Sequence, residues 1–162
     1  MQDIATQIAA PVSLYRPAGV GRVERVMGTA HVYKVRSAET GGRFSCFEAL
    51  IPPGAMVPPH RHHDEDEAFY CLEGEIVLEL EGMAEPVRLR QGDFCFSPRG
   101  RWHTFRNEGT VAARALGIVT PGNRIEQMFH ELEAATMGAV APMEQLFAIV
   151  QRHGVSPVQQ AA

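Results

Sequence analysis

The first residues able to share an ion are His60 and His62, two apart in the chain. In an extended segment both imidazoles face one side, with Cα atoms ~6.5–7 Å apart, close enough to chelate one metal. Glu67 follows at the head of the apolar run Ala68 to Leu72. Burying an ionised carboxylate there would cost several kcal/mol unless it were paired or metal-bound. His103 opens another strand-like run, and a closed sheet would bring it opposite the first pair. Two imidazoles and a carboxylate are the donors of non-haem Fe(II) centres with open positions, and a third histidine completes the set. With no thiolate among the donors, the expected cofactor is one divalent transition metal: Fe, Mn, Ni, Co, Cu or Zn. Donor type alone does not choose among them.

Alternation also sorts the neighbours. His63 points away from His60 and His62 and reads as a loop or supporting residue. Asp64, Glu65 and Asp66 read as a solvated acidic turn. Asp66 stays open as an alternative to Glu67, because a single bulge would exchange their faces. His31, His130 and His153 are isolated histidines and read as structural or solvent-exposed. Phe69 shares a face with Glu67, and Phe105 with His103, so both are candidate walls of a substrate pocket as well as ordinary barrel core.

The elements that must position these side chains are mostly strands. His31 to Arg36 alternates, Arg43 to Ile51 is apolar on both faces, and Ile76, Leu78 and Leu80 share a face opposite Glu75, Glu79 and Glu81. Residues 86–90, 94–96, 102–107 and 111–119 continue the series, with Gly or Pro at nearly every junction. Such spacing indicates a closed or double-sheeted all-β architecture. The period changes after Thr120-Pro121-Gly122. Ile125, Met128, Phe129 and Leu132, then Met143, Leu146, Phe147 and Val150, fall at i, i+3, i+4, i+7, which predicts two amphipathic helices. Gly154 and Pro157 close the second helix, and the last few residues are expected to fray. The chain thus divides into an N-terminal arm (1–22), a β-barrel (23–119) and a C-terminal helical extension (120–162).

Composition narrows the function. One core is expected of 162 residues. A net charge of −4, from 15 basic and 19 acidic residues without a sustained Lys/Arg run, argues against nucleic acid as a partner. No run approaches a membrane span of ~18 apolar residues. Met1 to Tyr15 has no basic leader, and Pro11 interrupts its apolar patch, so a cytoplasmic location is expected. Cys46, Cys71 and Cys95 sit in apolar runs and read as reduced, buried thiols.

The two histidine segments resemble the paired motifs of the cupin superfamily. The first reads Gly, five residues, His-x-His, three or four residues, Glu, six residues, Gly, and Gly54, His60, His62, Glu67 and Gly74 meet it. The second reads Gly, five residues, Pro-x-Gly, two residues, His, three residues, Asn, and Gly92, Pro98, Gly100, His103 and Asn107 meet it. The 17 residues between them, Glu75 to Gln91, mark the compact bacterial type with one hairpin. The wider similarity is to small single-domain cupins named after quercetin 2,3-dioxygenase.

That resemblance implies a jelly-roll β-barrel, or double-stranded β-helix, followed by two C-terminal α-helices. It carries His60, His62, Glu67 and His103 over as metal ligands and makes Glu67 the catalytic base. The implied activity is a metal-dependent dioxygenase acting on a flavonol-like, diketone or phenolic substrate. A metal-containing binding or sensor cupin without turnover and a cupin isomerase are the alternatives. Arg99 and Arg101 flank the second motif near the expected mouth, where Arg101 is a candidate contact for an anionic substrate. A homodimer is expected from the need to cover barrel edges.

Overall fold

A computed structural model of the protein describes residues 10–138 and 140–158. The strands are β1 (Val23–Val26), β2 (Thr29–Val35), β3 (Ser45–Ile51), β4 (Met56–His62), β5 (Asp66–Glu73), β6 (Glu75–Leu80), β7 (Val87–Arg90), β8 (Phe94–Ser97), β9 (Trp102–Arg106) and β10 (Ala113–Thr120). Helices α1 (Asn123–Thr136) and α2 (Met143–Arg152) follow, and β11 (Val155–Pro157) ends the series. The strands form two antiparallel sheets, ordered β1-β2-β3-β10-β5-β8 and β11-β4-β9-β6-β7. Their inner faces share one apolar core that includes Phe47, Phe69, Ile76, Leu78 and Phe105. This is the jelly-roll barrel with two C-terminal helices that the motifs imply.

Local sequence explains the joints. β6 and β7 form the single hairpin between the motifs. Ile76 and Leu78 are fully buried as the alternation requires, but Val77 on the opposite face is buried as well. Its cross-strand neighbours are Arg88 and Arg106, whose aliphatic stems are long enough to cover it. At the β5–β6 turn Gly74 has φ +75°, and a Cβ there would press on Ala113 at 3.1–3.2 Å, so only glycine suits the position. Asn107 is buried and donates to the carbonyls of Ile51 (2.8 Å) and Val111 (2.9 Å), tying the end of β9 to β3 and to the approach of β10.

The helices close one end of the barrel. α1 buries Ile125, Met128, Phe129 and Leu132, the face expected from their spacing. Its first turn docks on β3. A Cβ on Gly122 would overlap Ser45, and Glu126, itself buried, accepts hydrogen bonds from Ser45 Oγ and the Ser37 backbone N–H and pairs with Arg36 at 3.2 Å. The second helix differs from expectation. Only Ile149 is fully buried, while Met143 and Phe147 keep 51% and 42% exposure because their face borders a cavity.

Beyond α2 the chain does not simply stop. Gly154, at φ +77°, ends the helix as expected, but Val155–Pro157 becomes a strand pairing with His62, Arg61 and His60 of β4. The frayed end expected past it lies outside the described residues, as do residues 1–9 of the arm. The described part of the arm is held by Arg16, which donates to the Lys34 carbonyl at 2.7 Å and pairs with Glu39.

Removing the Glu126 carboxylate leaves the Ser37 backbone N–H buried without an acceptor, while the Ser45 hydroxyl keeps the Gly122 carbonyl at 3.1 Å. Glu126→Ala should therefore lower stability by about 2–3 kcal/mol in urea denaturation, with Glu126→Gln losing less. Equal midpoints for wild type and Glu126→Ala would show that α1 docks without this network.

Candidate metal centre

The two sheets each contribute to one cluster. His60 and His62 come from β4 and His103 from β9, with His60 and His103 directly opposite in the register. Glu67 comes from β5 in the other sheet. Their ligand atoms all lie within 4.8 Å of one another. His62, Glu67 and His103 are buried and His60 is half-buried. Asp66 faces outward and pairs with Arg99 at 2.7 Å, so the register alternative is resolved in favour of Glu67 inside.

Each imidazole has an outer nitrogen occupied or faced by an acceptor, which aims the other inward. His60 Nδ1 donates to the Pro58 carbonyl at 2.9 Å, leaving Nε2 as a free lone pair. His103 Nδ1 lies 2.8 Å from Ser97 Oγ, a hydroxyl that serves either tautomer, and its Nε2 lies 2.9 Å from Glu67 Oε2. His62 Nε2 stands 3.5 Å from Glu67 Oε2, while Nδ1 faces Glu65 Oε2 at 3.8 Å, an ion-pair contact beyond hydrogen-bond reach. Inward nitrogens with outward anchors are what a metal-binding imidazole set requires, and three of them with a carboxylate suit a divalent transition metal. The four residues therefore fit such an ion.

Burial and neighbouring charge set three of the four groups apart. Burial, and then the neighbouring His103 and His62, push the His60 imidazole down to about 3, so it is neutral. Burial opposes charge on His62 too, but Glu65 and Glu67 outweigh it and raise that imidazole to about 9. Burial would raise Glu67, yet hydrogen bonds from His103 and His62 hold it well below the usual carboxylate range.

A cavity of about 100 Å³ opens beside the cluster. His60, His62 and Glu67 form part of its wall, and Phe69 and Phe105 stand in it as the alternation placed them. The helices supply the far side through Phe129, Leu132, Leu146 and Phe147. Arg101 is not in the wall; it lies exposed and pairs with Glu81 at 3.3 Å. His63 bonds Ser156 on the surface at 2.7 Å.

Three residues near the cluster escape sequence reading. Glu65, expected in a solvated turn, is 2% exposed, faces His62 and accepts from the Ile125 backbone N–H at 3.2 Å. Ser97 carries no signal in the sequence; it ends β8, and its hydroxyl meets His103 Nδ1. His31, read as structural, lines the cavity.

Fold and cluster together define a double-stranded β-helix with an inward His/Glu site. A family model described as "Cupin domain" matches residues 47–119. The chain is 27% identical over 126 residues to quercetin 2,3-dioxygenase of Bacillus subtilis, covering 76% of this chain and 36% of that protein. It is 35% identical over 69 residues to the oxalate-binding protein of Thermotoga maritima, covering 43% and 55%. The crystal structure of the polyketide cyclase RemF of Streptomyces resistomycificus superposes with a TM-score of 0.59 at 24% identity, covering 68% of this chain and 80% of that one. The chain thus matches only about a third to a half of the length of its curated relatives. It belongs to the cupin superfamily.

Below about pH 9 His62 holds a proton that a metal on Nε2 must displace. Apparent Zn(II) affinity should rise by about tenfold per pH unit up to about pH 9, with proton release visible by calorimetry in buffers of different ionisation enthalpy. Ser97→Ala should weaken metal binding by roughly 10–100-fold in a chelator competition. A pH-independent affinity, or an unchanged one in Ser97→Ala, would contradict these respective roles.

Proposed function

We propose that the protein is a metal-dependent dioxygenase acting on a compact phenolic or enolisable diketone substrate. The observation that carries this reading is the convergence of three imidazoles and one carboxylate on the wall of an otherwise apolar cavity. The similarity to a quercetin 2,3-dioxygenase supports it.

Size selects within the substrate class. A cavity of about 150 Å³ holds benzene, so a space of about 100 Å³ suits a short diketone, and a phenolic ring would reach past it. A flavonol would need α2 to move. A divalent ion held by His60, His62, Glu67 and His103 supplies Lewis acidity toward a substrate hydroxyl or enol. Glu67 is ionised and borders the cavity, so it would be the acceptor for the proton that the hydroxyl loses. Phe69 and Phe105 exclude water and flank the reacting group. A homodimer belongs to the same reading, supported by Tyr70, Phe94 and Phe96 exposed on neighbouring strands β5 and β8, the latter a sheet edge. A monomer by light scattering at micromolar concentration would contradict the dimer.

Protein reconstituted anaerobically with Fe(II), Mn(II), Ni(II) or Zn(II) should consume oxygen with catechols, short diketones or flavonols. Ligand binding without oxygen uptake would identify a binding module, and a product of unchanged mass an isomerase. In whichever metal form turns over, Glu67→Gln should retain the three imidazoles and most of the metal while kcat falls roughly 10²–10⁴-fold. Undiminished turnover in metal-loaded Glu67→Gln would reject the base role.

A further inference from the structure

The tip of the β1–β2 hairpin holds a side chain that its backbone opposes. Val26 pairs with Thr29, so Met27 and Gly28 make up the whole turn, with φ of +49° and +84°. A two-residue hairpin turn with both central φ positive is filled by Asn-Gly, Asp-Gly or Gly-Gly, because a Cβ in the left-handed region crowds the backbone. Gly28 obeys that preference. Met27 does not, and it is the single non-glycine residue with positive φ among the described residues.

The hairpin does not depend on a methionine there. Val26 is buried in the core beside it, and the Thr29 hydroxyl donates to the Val26 carbonyl at 2.7 Å, closing the turn from within. What Met27 adds is a stretch of cavity wall, from a turn that supplies none of the four cluster residues. Its side chain leans on the core but is only partly buried, so it is not sealed away as Ile125 and Leu132 are at 2% exposure. Met143 and Phe147 also line the cavity with open surface, but both sit on a helix whose backbone accepts such residues without strain. Of these three, only at Met27 does the choice of side chain run against the backbone, and an outlier held at a cavity wall calls for a function there.

We infer that Met27 is a specificity-determining residue: its Cγ, Sδ and Cε atoms take up room in the cavity and limit the bulk of the apolar end of the ligand. This rests on the reading of the cavity as the site of an enolisable small molecule. A space of about 100 Å³ suits a short diketone with alkyl ends, and an aryl end would need the room that Met27 fills. An unbranched thioether adapts its shape, so the limit is graded and not absolute.

Turn chemistry favours the test, since Met27→Asn and Met27→Gly install residues that the turn prefers, and both should fold. Binding of acetylacetone and benzoylacetone is measured by calorimetry with Zn(II)-loaded and with metal-free protein. Wild type should favour acetylacetone. Both variants should move the preference toward benzoylacetone by about tenfold or more, the scale of a methylene in an apolar pocket, while Met27→Leu, of similar volume, keeps the wild-type preference. An unaltered preference in Met27→Asn and Met27→Gly overturns the inference, and so does a wild type that already favours benzoylacetone. Should neither diketone bind any of these proteins, the reading of the cavity falls and the inference with it. A shifted preference without oxygen uptake counts against the proposed reaction and leaves Met27 in its role.

Discussion

One buried carboxylate sets the terms for the whole barrel. Glu67 is 5% exposed between two sheets whose shared core is apolar, and an ion in that position costs several kcal/mol unless opposite charge or hydrogen-bond donors reach it. The two imidazoles that do so, His62 and His103, come from the facing sheet. The site is therefore also a register lock. His60 stands opposite His103 on β9, and Glu67 stands opposite Ser97 on β8, whose hydroxyl meets the His103 ring. A slip of one residue in β4 would turn both His60 and His62 outward and remove one of the two imidazoles that reach the Glu67 charge.

The C-terminal segment is fastened to this same unit at both ends. At its start, the Ile125 backbone N–H donates to Glu65, the carboxylate that faces His62. At its end, β11 pairs with β4 along His60 and His62 themselves. Between these anchors α2 crosses the cavity and joins the rest mainly through Ile149, through the wall contacts of Leu146 and Val150, and through Glu131, which pairs with Arg152 and His153. What amphipathic spacing predicts as a packing face is, for Met143 and Phe147, the cover of a cavity. Helical period reports that a face is apolar; it does not distinguish a face pressed on a core from one laid over a void.

The same distinction explains which parts of the site are legible in the sequence. His60, His62, Glu67 and His103 follow from a period of two, from the cost of burying a carboxylate, and from motif spacing, all local properties of the chain. Phe69 and Phe105 follow from the same alternation. Glu65 does not, because its burial depends on a helix that starts sixty residues later, and an acidic triplet taken alone is solvated. His31 is equally opaque. Its place in the wall depends on Phe129 stacking from α1, a contact between the second strand and the first helix that no periodicity encodes. Arg101 shows the converse: its position in the motif is fixed, but it pairs with Glu81 and stands outside the wall.

These placements decide what charge a ligand can bring. Arg99 and Arg101, the cations nearest in sequence to the second motif, are paired with Asp66 and Glu81. Among the described residues no lysine or arginine stands in the wall, and Glu67 already contributes a negative charge there. A small dianion entering this space would give up its hydration, at several kcal/mol per charge, to meet apolar rings and a like charge, with an ion at the cluster as its single compensation. A neutral phenol or enol pays no such cost on entry. Under the proposed function it would lose its proton at the cluster, where a bound divalent ion would lie beside the charge that forms and Glu67 would take the proton. The apolar walls thus favour ligands that become anionic in place over ligands that arrive so, and among the described residues it is the His/Glu cluster that would support that ionisation.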